Sequence, residues 1–217
     1  MDTIEEYLKS TESATKKLFE GIEDYLSILY EVKKPVFSGD YTDEDDFQAK
    51  LIVWAEENEE QIQAKLDSQN RYINEIIAQS TLCGAILQIA AMGIKKYSRN
   101  KVIPDSCKGI VKIEFARKYC IGRIVNGLPI GLVIYAGRNQ SNHLDDGKLR
   151  DPSQSIFDII ATIGPSKLVR EPYKDPCFDT SNPTLDNYAS NITGLLQWRD
   201  YDQYKKDMLG MLSADKI

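Results

Sequence analysis

Leu82-Cys83-Gly84-Ala85-Ile86-Leu87-Gln88-Ile89-Ala90-Ala91-Met92-Gly93-Ile94 is apolar on almost every side. A helix with hardly any polar face is the buried central helix of a bundle, and this stretch predicts one over 81–97. Helical spacing continues upstream. Ile4, Leu8, Leu18, Ile22, Tyr25, Leu26 and Leu29 recur at that period behind a capping box, with Thr3 as N-cap and Glu6 three residues on. Pro35 lies just past the end, and Ser38-Gly39-Asp40 reads as a turn. Thr42 with its run of acids marks a second start, because carboxylates in a first turn oppose the helix dipole. Phe47, Leu51, Trp54, Ile62, Leu66, Ile73 and Ile77 then continue as one long helix or two.

Downstream, 99–105 with Pro104 is a connection. Residues 106–126 are mixed: Val111, Ile113 and Phe115 alternate like a strand within a helical composition. The balance predicts helix, then an irregular stretch through Asn126-Gly127. Pro129 suits a first helical position, and 129–142 predicts a helix with Ile130, Leu132, Val133, Ile134 and Ala136 as its apolar wall. A polar loop follows over 144–150. Asp151-Pro152 opens a short helix carrying Ile156, Phe157, Ile159, Ile160 and Ile163, ended by Gly164-Pro165. Four prolines make 165–184 a loop or extended arm. Two short helices, 188–196 and 201–212, close the chain. The expected architecture is one all-α domain over 1–217: N-terminal helices over 1–100, a core over 101–164, and a proline-containing arm with short helices over 165–217.

Composition narrows the class of function. A net charge of −6 on 217 residues argues against a general nucleic-acid binder. The charge is uneven, however. Residues 1–80 hold 19 Asp/Glu against 8 Lys/Arg, whereas 81–217 hold 14 against 19. The densest basic run is Lys95, Lys96, Arg99, Lys101, Lys108, Lys112, Arg117, Lys118 and Arg123. It reads equally as the solvated surface of several helices or as a groove for an RNA backbone. Cys83, Cys107, Cys120 and Cys177 are widely spaced without a C-x-x-C pair, which predicts reduced, mostly buried thiols in a cytoplasmic protein and no zinc site. The acidic start predicts no secretory leader, and no apolar stretch is read as reaching membrane length. Asp145 and Asp146 could hold a metal but read far better as a solvated acidic loop.

The residues that carry chemistry are Arg138-Asn139-Gln140-Ser141-Asn142-His143, which contain the only histidine. Histidine moves protons near neutral pH, and arginine is the usual partner of a phosphate. Asn139 and His143 are four apart and share a helical face. Arg138 and His143, five apart, sit about 140° around a regular helix and converge only where the helix ends or kinks near Asn142. Spacing alone is met as well by a histidine that caps the helix end as a cation.

The wider stretch, Gly127-Leu128-Pro129-Ile130-Gly131-Leu132, Tyr135-Ala136-Gly137-Arg138-Asn139-Gln140 and Asn142-His143, resembles the HEPN superfamily of helical ribonucleases and RNA-binding domains. Their signature is an arginine, four to six residues, then a histidine at a helix end, often with asparagine after the arginine. The resemblance covers roughly residues 120–160. It implies a HEPN-type helical bundle and a metal-independent endoribonuclease of toxin–antitoxin or antiviral defence type, needing no cofactor. Arg138 and His143 match the catalytic pair, and Asn139 the adjacent polar position. Asp145 stands where toxins silenced by adenylylation carry a tyrosine, a departure that argues against that form of control.

The implied reaction is attack of an RNA 2′-OH on the adjacent phosphate, leaving a 2′,3′-cyclic phosphate and a 5′-OH. It needs a base, an acid and a cation for the charged transition state. His143 serves as base or acid, Arg138 holds the non-bridging oxygens, and Asn139 orients the histidine or bonds the phosphate. With one histidine per chain, a second catalytic histidine comes from a homodimer partner across a shared cleft. Arg123 is the first expected auxiliary RNA contact, followed by Lys118, Arg117, Lys112 and Asn142. Expected partners are RNA, tRNA among the candidates, a second copy of the chain, and an antitoxin or other regulatory protein; no membrane is expected. Two rivals stand beside this reading. One is a non-catalytic HEPN-like module binding RNA, a nucleotide or a protein. The other is a plain helical adaptor.

Overall fold

The computed structural model describes residues 3–144, 149–164, 171–182 and 184–213. Helix accounts for 66% and strand for 4%, an all-α class. Among the described residues seven α-helices follow in order: α1 Ile4–Tyr30, α2 Glu44–Glu57, α3 Glu59–Tyr97, α4 Ile130–Asn142, α5 Ser153–Ala161, α6 Ala189–Leu195 and α7 Tyr201–Leu212. Two antiparallel hairpins join them, β1 Ile124–Val125 with β2 Leu128–Pro129, and β3 Thr162–Ile163 with β4 Tyr173–Lys174. The packing divides into two compact units. One is Met1–Gly21 with Gln79–Ile217, and the other is Ile22–Ala78. α1 and α3 each contribute residues to both.

In the larger unit α1 opens as its capping residues predict, the Glu6 N–H donating to the Thr3 hydroxyl at 3.2 Å. Ile4, Tyr7, Leu8, Thr15 and Phe19 give it a buried stripe, and the Tyr7 hydroxyl donates to the Ile89 carbonyl at 2.7 Å. The apolar stretch that predicts a central helix is the last part of α3, and Cys83, Ile86, Leu87, Ala90 and Ile94 are fully or almost fully buried there. α4 is buried more completely still. Its wall of Ile130, Leu132, Val133, Ile134 and Ala136 sees no solvent. It packs against α5, α6, β2 and the short turn before β1, so it is the hub of this unit.

Residues 106–126 form no α-helix, and that expectation is corrected. Two 3₁₀ turns occupy the region, Asp105–Cys107 and Glu114–Tyr119, and β1 follows. Side chains hold it to the end of α3. Ser98 Oγ donates to the Lys118 carbonyl at 2.7 Å, and Asn100 Nδ2 donates to the Arg117 carbonyl at 2.8 Å. The irregular stretch at Asn126-Gly127 is a two-residue hairpin turn. Both residues have positive φ, 47° and 80°, as a type I′ connection between twisted strands requires. Pro129 is the last strand residue and N-cap of α4, rather than its first helical residue. The close of β2 brings α4 against the chain before β1: a Cβ on Gly131 would lie 2.3 Å from the Tyr119 carbonyl oxygen.

The second run of helical spacing resolves into two helices broken at Asn58. α3 also corrects the reading of membrane length. By length and composition an 18-residue window of it could cross a bilayer, yet half of that window is buried inside the protein, as in the core helix of a globular unit. Where described, the proline-containing arm holds β4 and a set of side-chain turns around Asp179 and Asn182; Pro165 and Pro183 lie outside the described residues, as do Asp145 and Asp146. Cys83, Cys107 and Cys120 are buried free thiols, and Cys177 is an exposed one.

Candidate functional site

α4 ends where the Arg–His geometry needs it to. Asn142 is its last residue and His143 its C-cap, with the His143 N–H donating to the Gln140 carbonyl at 3.3 Å. Gln140, buried, locks this end in place. Its Nε2 donates to the Asp186 carbonyl at 2.7 Å, and its Oε1 accepts from the Tyr188 N–H at 2.9 Å. The last turn of α4 is therefore a fixed platform tied to the approach to α6.

Arg138 leaves that platform toward α3. Its Nε donates to Gln88 Oε1 at 2.7 Å and its Nη1 to Asn139 Oδ1 at 2.9 Å. Asn142 Nδ2 donates to the same Gln88 oxygen at 3.1 Å, and Asn139 Nδ2 donates to Ser153 Oγ at 3.1 Å. The motif is thus one chain of hydrogen bonds from Asn142 through Gln88, Arg138 and Asn139 to Ser153. Both acceptors of the half-buried guanidinium are neutral amide oxygens, and among the described residues no carboxylate pairs with it. Tyr119 does not offset the charge either. Burial pushes its phenol up to about 12 even though the Arg138 guanidinium acts to lower it, so it stays neutral near pH 7. Among the described residues, then, Arg138 is held in a fixed orientation with no carboxylate on it, a condition for taking an anion.

Beside this chain lies a cavity of about 440 Å³, lined by Tyr135, Asn139, His143, Arg150, Asp151 and Ser153, with Ile113 and Leu149 as its apolar part. Asn139 belongs to both the hydrogen-bond chain and the cavity, and His143 lines the cavity from the exposed helix end. Arg138 is not among the lining residues and reaches the cavity through Asn139. Tyr135 is held by rings on its other side, with centroids 5.0 Å from Tyr119 and 6.4 Å from Phe115. Arg150 is exposed and, among the described residues, has no carboxylate partner. Asp151 Oδ1 accepts from Ser155 Oγ at 2.8 Å.

The cations expected to bind RNA are placed elsewhere. Arg123 is engaged with Asp207, its Nε 3.0 Å from Oδ1 and its Nη2 3.0 Å from Oδ2, and it also donates to the Leu196 carbonyl. Arg117 pairs with Glu114 at 2.8 Å, and Lys118 Nζ donates to the Lys95 carbonyl at 3.1 Å. Lys112 is exposed. None of the basic side chains of 95–123 lines the cavity, to which that stretch contributes Ile113. Gln88, Arg150 and Ser153 are the site residues that sequence reasoning passed over. Gln88 did carry a signal, as the one amide inside an otherwise apolar run.

Among the described residues no group of three or more His, Cys, Asp and Glu side chains is arranged to hold a metal ion. No known protein family, curated protein or solved structure matches the chain.

Proposed function

We propose that the chain is a HEPN-type endoribonuclease that cleaves RNA without a metal ion and acts in a toxin or antiviral defence system. The observation that carries this reading is the guanidinium of Arg138, held by Gln88 and Asn139 with no carboxylate on it among the described residues, and joined by Asn139 to a cavity that His143 also lines. A phosphodiester at the cavity mouth would meet His143 and Asn139, with the Arg138 guanidinium behind Asn139. His143 takes the 2′-OH proton or gives one to the departing 5′ oxygen, since an imidazole side chain can do either near neutral pH. Arg138, swung from Gln88 toward the cavity, offers donors to the non-bridging oxygens as their charge grows. Asn139 keeps the guanidinium oriented through Oδ1 and Ser153 through Nδ2. Atoms balance without a cofactor: the 2′ oxygen bonds to phosphorus, the 5′ oxygen leaves and is protonated, and the product is a cyclic phosphate. A second histidine for the other proton transfer comes from a second copy of the chain.

The alternative is a non-catalytic module that binds RNA or a nucleotide. It is favoured by one observation, the commitment of Arg138 to Gln88 on α3 rather than to the cavity wall. Cleavage of total tRNA and of a mixed-sequence RNA in EDTA separates the two. The parent protein is expected to leave cyclic phosphate ends, and Arg138→Ala and His143→Ala are expected to fall by about 10²-fold or more, the worth of a general acid–base or a charge-stabilising group. Binding without cleavage by all three assigns the module. Equal cleavage by all three removes the motif from the reaction.

A further inference from the structure

The smaller unit, Ile22–Ala78, is built unlike the larger one. α2 has no buried residue at all. Ile52 and Val53 are 58% and 53% exposed. On α3 the Ser68 hydroxyl donates to the Ile28 carbonyl of α1 at 2.5 Å, and the opposite side of that helix carries Leu66, Ile73 and Ile77, exposed by 46%, 60% and 77%. The spacing of those three puts them on one stripe. A groove of about 390 Å³ runs between the segment at Phe37 and one face of α2, with Ala49, Lys50, Val53, Trp54 and Glu57 along it. Its floor is fixed: the Phe37 ring lies 5.5 Å from Phe47 and 5.8 Å from Trp54, edge-on to both.

Charge says what covers this surface. Residues 22–78 hold 14 Asp/Glu against 5 Lys/Arg. The one cation in the groove, Lys50, is already paired with Asp46 at 2.8 Å. Exposed apolar side chains of this kind mark an interaction site, and here Glu57 lines the groove and Asp46 stands on its Lys50, within the acidic sequence of the unit. A second copy would bring a matching excess of negative charge to the same face and be repelled, and an acidic peptide likewise. A helix with leucine-like side chains on one face and lysine or arginine on the flanks satisfies both features, its apolar stripe meeting Val53 and Trp54 and its cations the acids around them.

We propose that Ile22–Ala78 is a docking surface for a basic amphipathic helix of a partner protein, seated in the groove beside Trp54. The chain contains its own reporter. Trp54 lines the groove, and the other tryptophan, Trp198, is buried in the larger unit. The probe is a synthetic leucine–lysine peptide of about four helical turns with one apolar face, set against a peptide of the same composition ordered so that no apolar face forms. The amphipathic peptide is expected to shift Trp54 emission and to bind at least about tenfold tighter than the reordered one, the worth of one buried leucine-sized side chain. Raised salt is expected to weaken it. Val53→Asp decides between docking and bulk attraction, because it adds negative charge while spoiling the apolar contact; it sits at an exposed position, and far-UV circular dichroism checks that it folds. The variant is expected to bind about tenfold more weakly. Equal binding of the two peptides, or tighter binding to Val53→Asp, would overturn the proposal. Self-association of the parent that Val53→Asp abolishes would overturn it too, by giving the groove to a second copy.

Discussion

Tyr204 is fully buried, and among the described residues its hydroxyl is the one buried side-chain polar atom with no partner. Phe19, Trp198 and Tyr201 surround its ring, with centroids 6.2, 5.1 and 5.9 Å away, and burial pushes the phenol far above its ordinary range. The ring does the packing, and the hydroxyl bears the cost of leaving water. Removing the oxygen while keeping the ring should therefore stabilise the fold. Tyr204→Phe is expected to raise the unfolding free energy by about 1–3 kcal/mol, the penalty of an unsatisfied buried group, measured as a higher urea midpoint at unchanged slope. A lower midpoint would mean that the hydroxyl is bonded after all. At the same scale, the site was legible where its signal is local. Arg138 and Asn139, one residue apart, are hydrogen-bonded near the end of α4, and His143 caps that end. The tie of Arg123 to Asp207, 84 residues on, has no local signature. Nor does the reach of Arg138 to Gln88 across 50 residues, because both depend on how separate elements pack.

Elements were legible in proportion to their periodicity. α1, α4, α6 and α7 fall close to their expected bounds because apolar positions recur through each and caps mark several ends. Residues 106–126 were not, because fold-level contacts override a weak local preference there. The β1–β2 turn had an unread signal, the Asn-Gly pair that accepts two positive φ values. This hairpin matters because it sets α4 against the 119–121 backbone, where Gly131 leaves no room for a side chain. Its N–H donates to the Ile121 carbonyl at 3.1 Å while an added Cβ would meet Tyr119 O at 2.3 Å. Alanine is the better helix former, worth up to about 1 kcal/mol, but backbone cannot rotate aside as a side chain can. Gly131→Ala is expected to destabilise by about 1–3 kcal/mol, the range for overpacking. Gly210→Ala in α7, where nothing lies within 4 Å, is the control of opposite sign, expected to gain about 0.5–1 kcal/mol. Thermal or urea melts of the two beside the parent test both. Equal effects would show that the close approach at α4 relaxes freely.

At the scale of the whole molecule, charge and chemistry together say which faces can meet. One histidine per chain supplies one of the two proton transfers that the proposed cleavage needs. Two copies supply both, provided that their motifs face each other around a two-fold axis. The acidic unit is unsuited to that contact, for it would set 14 carboxylates against 14 with few cations between. The end of α4 is suited to it. His143 and Arg150 are exposed there, and the exposed apolar side chains Ile113, Phe115 and Leu144 lie on the segments around them. The active species is therefore expected to be a dimer joined through the larger unit. Specific activity should fall on dilution in step with dissociation followed by sedimentation, and raising salt should not disrupt the dimer, because the contact is not held by the acidic surface. Mixing parent with an excess of His143→Ala should lower activity per parent chain, since each mixed dimer has lost one proton-transfer group. Full activity from a species that sediments as a monomer would remove the second histidine from the mechanism. It would leave His143 to act alone as the base, with water protonating the leaving oxygen.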